Sequence, residues 1–330
     1  MDIADTTYQT RVQYAVNYFR KSEKDDLNPK FVLRNTYDEP VEFEVTGAHE
    51  KLPALEETKD VISPHDQVAG SRESGGKRPR LGQLDRIGET TLKVQSPFLL
   101  NVLKSVIEYS AELPGWDWHG PNAGRYFTPY KDLYYHLPDL ERYKAEDSPL
   151  RQKHSPEFNE SCDEHIDLLK SYLESQPNIP LVEARTQWAN KTPVTTFAAF
   201  WLLLKPGTDV YVRETDGSLN AYVAHSVTGG IAMENGKRTI TPYLIEVWNL
   251  VFGGSTIFRR IRTLQVPVFD NEREIVEMPV FPVKFVDEED GNQTRQKLIA
   301  RGKKYFAYSR GACFLEYSGP GYRDGAKSVR

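Results

Sequence analysis

The sequence predicts an α+β protein in which a helical segment packs on a small antiparallel β-barrel or sandwich. Three observations lead there. Apolar residues recur at helical spacing within 98–107, 130–145 and 157–175, and strand-like alternation takes over after Pro193. The strand-like runs are separated by Asp-Gly, Glu-Asn-Gly-Lys, Gly-Gly-Ser and Asp-Asn-Glu turns, as expected between antiparallel neighbours. At 330 residues the chain exceeds the usual single domain. Its composition divides it into a strand-rich segment (1–46), a flexible linker (47–90), a helical segment (91–192) and a β-rich domain with a closing helix (193–330).

Taken in order, YQTRVQYAVNYF, KFVLRN and VEFEV alternate and read as two or three strands. Residues 47–90 then lose periodicity and collect Pro, Gly, Ser and charge, as in SPHDQVAGSRESGGKRPRLG, the composition of a linker or disordered loop. Order returns at Ser96-Pro97, a capping serine followed by proline at the first helical position. Phe98, Leu99, Val102, Leu103, Val106 and Ile107 follow on one helical face. A second helix is predicted over 130–145 and a third over 157–175, the latter with Ile166, Leu168, Leu169, Tyr172 and Leu173 as its apolar side.

Beyond Pro193 a short helix is predicted over 196–204, presenting Phe197, Phe200, Trp201 and Leu204 and stopped by Pro206-Gly207. DVYVRE, LNAYVAHSV, YLIEVWNLVF, TIFRRIRTLQV and EIVEMPVFPVKFV read as strands, 294–306 as the last helix and ACFLEY as a closing strand. In FWLLLKPGTDVYVRETDGSLNAYVAHSVTGG the glycines, including the final pair, are read as turn residues in a helix that feeds a hairpin.

The formal charge of −5 and pI near 5.9 give no overall positive field toward nucleic acid or anionic lipid, although local basic patches stay open. Cys162 and Cys313 stand far apart and outside any Cys-x-x-Cys pattern, which predicts two reduced thiols in a reducing compartment. The first residues, MDIADTTYQT, lack an apolar core, and no apolar run approaches the roughly 20 residues a membrane helix needs. The expectation is an intracellular protein, cytoplasmic or nuclear, that is neither secreted nor held in a membrane.

Candidate chemistry is sparse. Gly70 to Arg78 (GSRESGGKR) departs from a phosphate-binding loop at the lysine spacing, at the hydroxyl position and in its flanks. The GGKRPR that overlaps its end, Gly75 to Arg80, is read as a solvated basic loop in preference to a nuclear-import signal or an anionic-partner patch. Cys162 and His165 lie one helical turn apart with His154 upstream, but no second ligand pair follows at matching spacing, so ordinary helix positions are expected and no metal. Neither His-Glu-x-x-His nor Gly-x-Ser-x-Gly occurs, and no catalytic residue is assigned. Trp116, Trp118, His119, Arg125, Tyr126 and Phe127 form an aromatic and basic cluster that could serve partner binding, by stacking a base or clamping a peptide, but the anchoring of a long loop onto the helices is the favoured reading, because so many aromatics are seldom left exposed.

SPFLLNVLKSVIEY, FAAFWLLLKPGTDVYV, AYVAHSV, IEVWNLVFGG, MPVFPVKFV and ARGKKYF, in that order, resemble an uncharacterised domain found N-terminal to the ATPase module of fungal AAA+ ATPases. The resemblance covers about 92–318. It implies a recognition or regulatory domain that engages substrates or adaptors of an ATP-driven remodelling enzyme, or controls its assembly. The chain stops at YSGPGYRDGAKSVR, about where that family continues toward its Walker segments. A fragment or a free-standing domain is therefore expected, without ATP or Mg2+ of its own, and forming homo-oligomers only through an ATPase module. Protein partners, or an ATPase module in cis, are expected. A free-standing SH3-like or Tudor-like binding module fits the strand pattern too. An enzyme would require a deep pocket with convergent ionisable groups.

Overall fold

The computed structural model of the chain describes residues 9–22, 25–37, 53–63, 86–107, 124–145, 148–234, 237–311, 314, 316, 321–323 and 326–329. Among them the fold is mixed α+β, with six α-helices and two five-stranded sheets.

The first sheet comprises β1 (Gln9–Ser22), β2 (Asp25–Tyr37), β3 (Pro53–Ser63), β4 (Arg86–Val94) and β5 (Arg125–Phe127), in the order β2-β1-β3-β4-β5. All neighbours are antiparallel except β1 and β3, which run parallel. This corrects the predicted linker over 47–90: residues 53–63 form the central strand and 86–94 its neighbour, while 64–85 lie outside the described residues. The reason is visible in PALEETKDVIS, whose consecutive Glu56 and Glu57 spoil the apolar alternation yet are both buried. Glu56 accepts from Arg34 of β2 and from Gln95, and Glu57 pairs with Lys59 at 2.8 Å. A buried carboxylate is tolerated when it is paired and hydrogen-bonded, and partners 22 and 39 positions away are silent in a local pattern.

The helical layer follows the prediction closely. α1 (Pro97–Val106) starts at the Ser96 cap, α2 (Lys131–Tyr143) and α3 (Pro156–Glu174) fall where expected, and α4 (Leu181–Trp188), unpredicted, is a short addition. The predicted helix at 196–204 is instead a short strand, β6 (Val194–Thr196), and a 3-10 turn at Phe200–Leu203.

The second sheet comprises β7 (Asp209–Arg213), β8 (Leu219–Glu234), β9 (Lys237–Phe252), β10 (Ile257–Val266) and β12 (Val280–Pro282), in the order β10-β9-β8-β7-β12. Between β10 and β12, β11 (Glu272–Glu274) pairs with β6. Among the described residues neither large sheet closes on itself, so the second remains an open antiparallel sheet with β10 at one edge. The predicted strand EIVEMPVFPVKFV breaks into a 3-10 turn at Ile275–Glu277, the short edge strand β12 and helix α5 (Lys284–Asp290). Pro279 and Pro282 carry no amide proton for a longer ladder. α6 (Gln293–Ser309) matches the predicted closing helix, and β13 (Gly321–Arg323) pairs with β14 (Ala326–Val329). Of the predicted strand ACFLEY only Phe314 and Glu316 are described, and neither is in a strand.

Gly229 and Gly230 sit inside β8 rather than in a turn, where the register with β9 shifts between Thr228 and Gly230. Both have left-handed φ, +79° and +92°. A Cβ on Gly229 would stand 2.2 Å from the Pro242 carbonyl oxygen, and one on Gly230 2.4 Å from the Tyr243 ring. The pair lets two long strands cross closely at a bulge.

One hydrophobic cluster links both sheets and the helices between them. Its junction is aromatic: Tyr134 and Tyr135 of α2 meet Trp201 edge-on at 5.7 and 5.5 Å, and the Tyr135 hydroxyl donates to the Trp201 carbonyl at 3.1 Å. Such pairs add about 0.5–1.5 kcal/mol each beyond the area they bury.

Candidate functional site

Of the aromatic cluster singled out in the sequence, Arg125, Tyr126 and Phe127 form β5 at the edge of the first sheet, and Trp116, Trp118 and His119 lie outside the described residues. Tyr126 is buried in the core, and burial pushes its hydroxyl pKa far up, so this side chain anchors the sheet. Cys162 and His165 both face inward from α3 but have separate partners. The thiol contacts the Phe98 carbonyl at 3.8 Å, and the imidazole Nδ1 lies 2.7 Å from Ser96 Oγ. Burial raises the Cys162 thiol to about 11, which leaves it protonated and unreactive at neutral pH. His154 lies at the surface, stacked on Phe158 at 4.4 Å. Among the described residues no three His, Cys, Asp or Glu side chains converge as metal ligands would.

A cleft of about 670 Å3 opens where α1, α2 and the turn after α2 meet the Lys-Pro-Gly turn that leads into β7. His136, Asp139 and Arg142 line it from α2, Lys205 from the turn, and Tyr143, Leu150 and Pro206 supply apolar wall. Three donors converge on the Asp139 carboxylate: Lys205 Nζ at 2.6 Å, His136 Nδ1 at 3.0 Å and Arg142 at 3.2 Å. Burial works the other way, but the Lys205 bond and charge and the His136 contact hold Asp139 below the usual carboxylate range. Burial, then the Lys205 charge, lowers His136 to about 4 despite Asp139, so the ring is neutral at pH 7. Asp139 thus sits between two cations, and its bond to Lys205 ties α2 to the turn before the second sheet.

The other feature is a surface. β9 and β10 extend past the core as a hairpin, and Leu250, Ile257, Phe258 and Ile261 are exposed on it. Ile261 pairs with Trp248 in register, and Arg259 lies over the Trp248 ring at 4.3 Å, so apolar and basic groups share one face. α6 carries five basic residues, no acidic residue and no buried residue, yet displays Ile299, Tyr305, Phe306 and Tyr308. It is fastened to the sheet by polar bonds in sequence: Arg295 to Asp287 of α5 at 2.7 Å and to Asp209 of β7 at 3.5 Å, Arg301 to Asn220 of β8 at 2.5 Å, and the Tyr305 hydroxyl from the Phe252 amide of β9 at 2.5 Å. On β10, Arg262 is neutralised by Glu214 at 2.9 Å. Arg259, Arg260, Lys297, Lys303 and Lys304 make no ion pair with the described residues.

A family model described as a domain of unknown function, DUF7025, matches residues 185–287. The match runs from α4 through most of α5 and includes Lys205 and the whole second sheet; α6 lies beyond it. No curated protein and no solved structure shows a significant match to the chain. Among the described residues no helix is long and apolar enough to cross a membrane.

Sequence reading missed this surface. Its signal was present: Phe258-Arg259-Arg260-Ile261 sets two adjacent arginines between large apolar residues, and TRQKLIARGKKYFAYSR is basic without a single carboxylate. That β10 ends a sheet was not legible, because strand order is a property of the fold.

Proposed function

We propose that the chain is a non-catalytic recognition module that engages a protein partner through the β9–β10 hairpin and α6. The observation that carries this reading is the pairing of exposed apolar side chains with cations that have no acidic partner among the described residues. Phe258 is 48% exposed, Ile261 55% and Phe306 53%. Large apolar side chains exposed on both faces of an edge hairpin and on the helix docked beside it support a binding role. In the setting that the resemblance to domains of fungal AAA+ ATPases implies, the partner is a substrate or adaptor of an ATP-driven remodelling enzyme, or a surface that controls its assembly. The chain itself then neither binds nor hydrolyses ATP. A groove on a closed SH3-like or Tudor-like barrel is disfavoured by the open edge at β10, and the Asp139 cleft reads as a tie between α2 and the Lys-Pro-Gly turn rather than as an enzyme's site.

The test uses the whole chain and a variant carrying Phe258→Ser, Ile261→Asp and Phe306→Ser. Because all three side chains are exposed, the thermal midpoint should move by no more than about 3–4 °C. Proteins retained from source cells by the wild type should be lost by the variant. An unchanged set of retained proteins, or turnover of a substrate by the purified chain, would contradict the reading.

A further inference from the structure

Resting on that recognition reading, the geometry points to one mode and one kind of partner: an extended acidic peptide segment that adds to the outer edge of β10, with two adjacent carboxylates flanked by apolar residues.

Three observations lead to it. Among the described residues β10 is the end strand of its sheet, and a free edge presents a row of backbone donors and acceptors ready for another strand. Consecutive residues of a strand point to opposite faces, so Arg259 stands with Ile261 on one face and Arg260 with Phe258 on the other. A strand added about 4.8 Å beyond β10 places one residue opposite each of these four. The complement of Phe258-Arg259-Arg260-Ile261 is therefore apolar, acidic, acidic, apolar. Neither arginine has a carboxylate among the described residues, and Arg259 is already held in place by the Trp248 ring.

α6 strengthens the same edge. Its bonds to β7, β8 and β9 follow the order of the strands in the sheet, so the helix runs across the sheet toward β10. The residues from Arg295 to Tyr305 advance about 15 Å, ample for the two strand spacings, about 10 Å, between β7 and β9. Phe252, bonded by Tyr305, is the register partner of Ile257, which brings the last turn of α6 to the base of β10. Lys303 and Lys304 add positive field there, although the chain as a whole carries −5.

Other anionic partners fit less well. Single-stranded nucleic acid would use the cations and aromatic rings but offers nothing to the exposed Ile257, Ile261 and Leu250. A lipid surface would take the apolar groups but leave the outward amides and carbonyls of β10 without hydrogen-bond partners.

The experiment is selection from a library of random peptides of about 10 residues, the length of a long strand, on the purified full chain. Enrichment of adjacent Asp or Glu residues between apolar ones is expected. The selected peptide should lose about tenfold or more in affinity for the chain with Arg259→Glu and Arg260→Glu, and regain it when its two acids are changed to lysine. N-methylation of alternate amides should abolish binding for one set and spare it for the other, the signature of a strand hydrogen-bonded along one edge. Selection without acidic pairs, indifference to the arginine reversals or to N-methylation, or tighter binding of oligodeoxythymidine or phosphatidylserine vesicles would overturn the inference. If partner retention still depends on Phe258, Ile261 and Phe306 in that event, the recognition reading stands while strand addition falls.

Discussion

Ser96 Oγ lies 2.7 Å from Nδ1 of His165 while accepting the Leu99 amide proton at 3.2 Å. One hydroxyl thus caps α1 and, through its hydrogen bond to the imidazole, fastens α1 to α3. Burial lowers the His165 pKa, in keeping with a neutral ring. Replacement of Ser96 by Ala removes the cap, worth about 1 kcal/mol, and strands a buried ring nitrogen at about 1–3 kcal/mol. A loss of about 2–3 kcal/mol in urea unfolding is expected for Ser96→Ala. A loss below about 0.5 kcal/mol would show that the contact carries no weight.

The buried histidines make the fold acid-sensitive above the carboxylate range. The folded-state pKa of His136 is depressed to about 4 from the ordinary value near 6.5. Its contribution is therefore complete above pH 6.5 and is lost as pH falls toward 4, because the unfolded chain binds the proton first. One histidine costs up to about 1.4 kcal/mol per pH unit in that window. Between pH 7 and pH 5 the wild type should lose about 2 kcal/mol more than His136→Gln. Equal losses in the two proteins would place the acid sensitivity elsewhere.

Lys205 couples to the same ring from across the cleft. Its ammonium lies 3.3 Å from His136 Nδ1 and 2.6 Å from Asp139 Oδ2. In Lys205→Met the positive neighbour is gone while Asp139 remains, so the His136 pKa should rise, as read by NMR titration of its ring protons. Stability should fall by about 1–2 kcal/mol, between the values for exposed and buried pairs. An unmoved titration would mean that burial alone sets the ring.

The helical layer was legible in the sequence because its signals are local. Ser96-Pro97 announces α1, and Ile166, Leu169, Tyr172 and Leu173 trace the buried face of α3. β3 was not legible, since Glu56 is buried against Arg34 and Gln95, partners that only the tertiary fold supplies. The Asp139–Lys205 bond spans 66 positions, and no window of sequence joins its ends. The free edge of β10 likewise follows from the pairing order of the sheet.

Gly229 and Gly230 show how a local residue type can mislead. A glycine pair reads as a turn, yet here both left-handed residues hold a bulge in mid-strand. Gly229→Ala combines an unfavourable φ with a 2.2 Å clash against backbone, and more than about 2 kcal/mol of destabilisation is expected. Gly217→Ala, with a similar φ of +82° and open space around it, should cost about 1 kcal/mol. Equal costs at the two positions would refute the close-crossing explanation.

Hydrogen exchange of the full chain with and without a retained partner tests the recognition surface most directly. Partner binding should slow exchange along 257–266 and across α6 while leaving the cleft segments 136–150 and 205–207 unchanged. Protection concentrated in the cleft segments, with β10 and α6 exchanging as in the free chain, would contradict it.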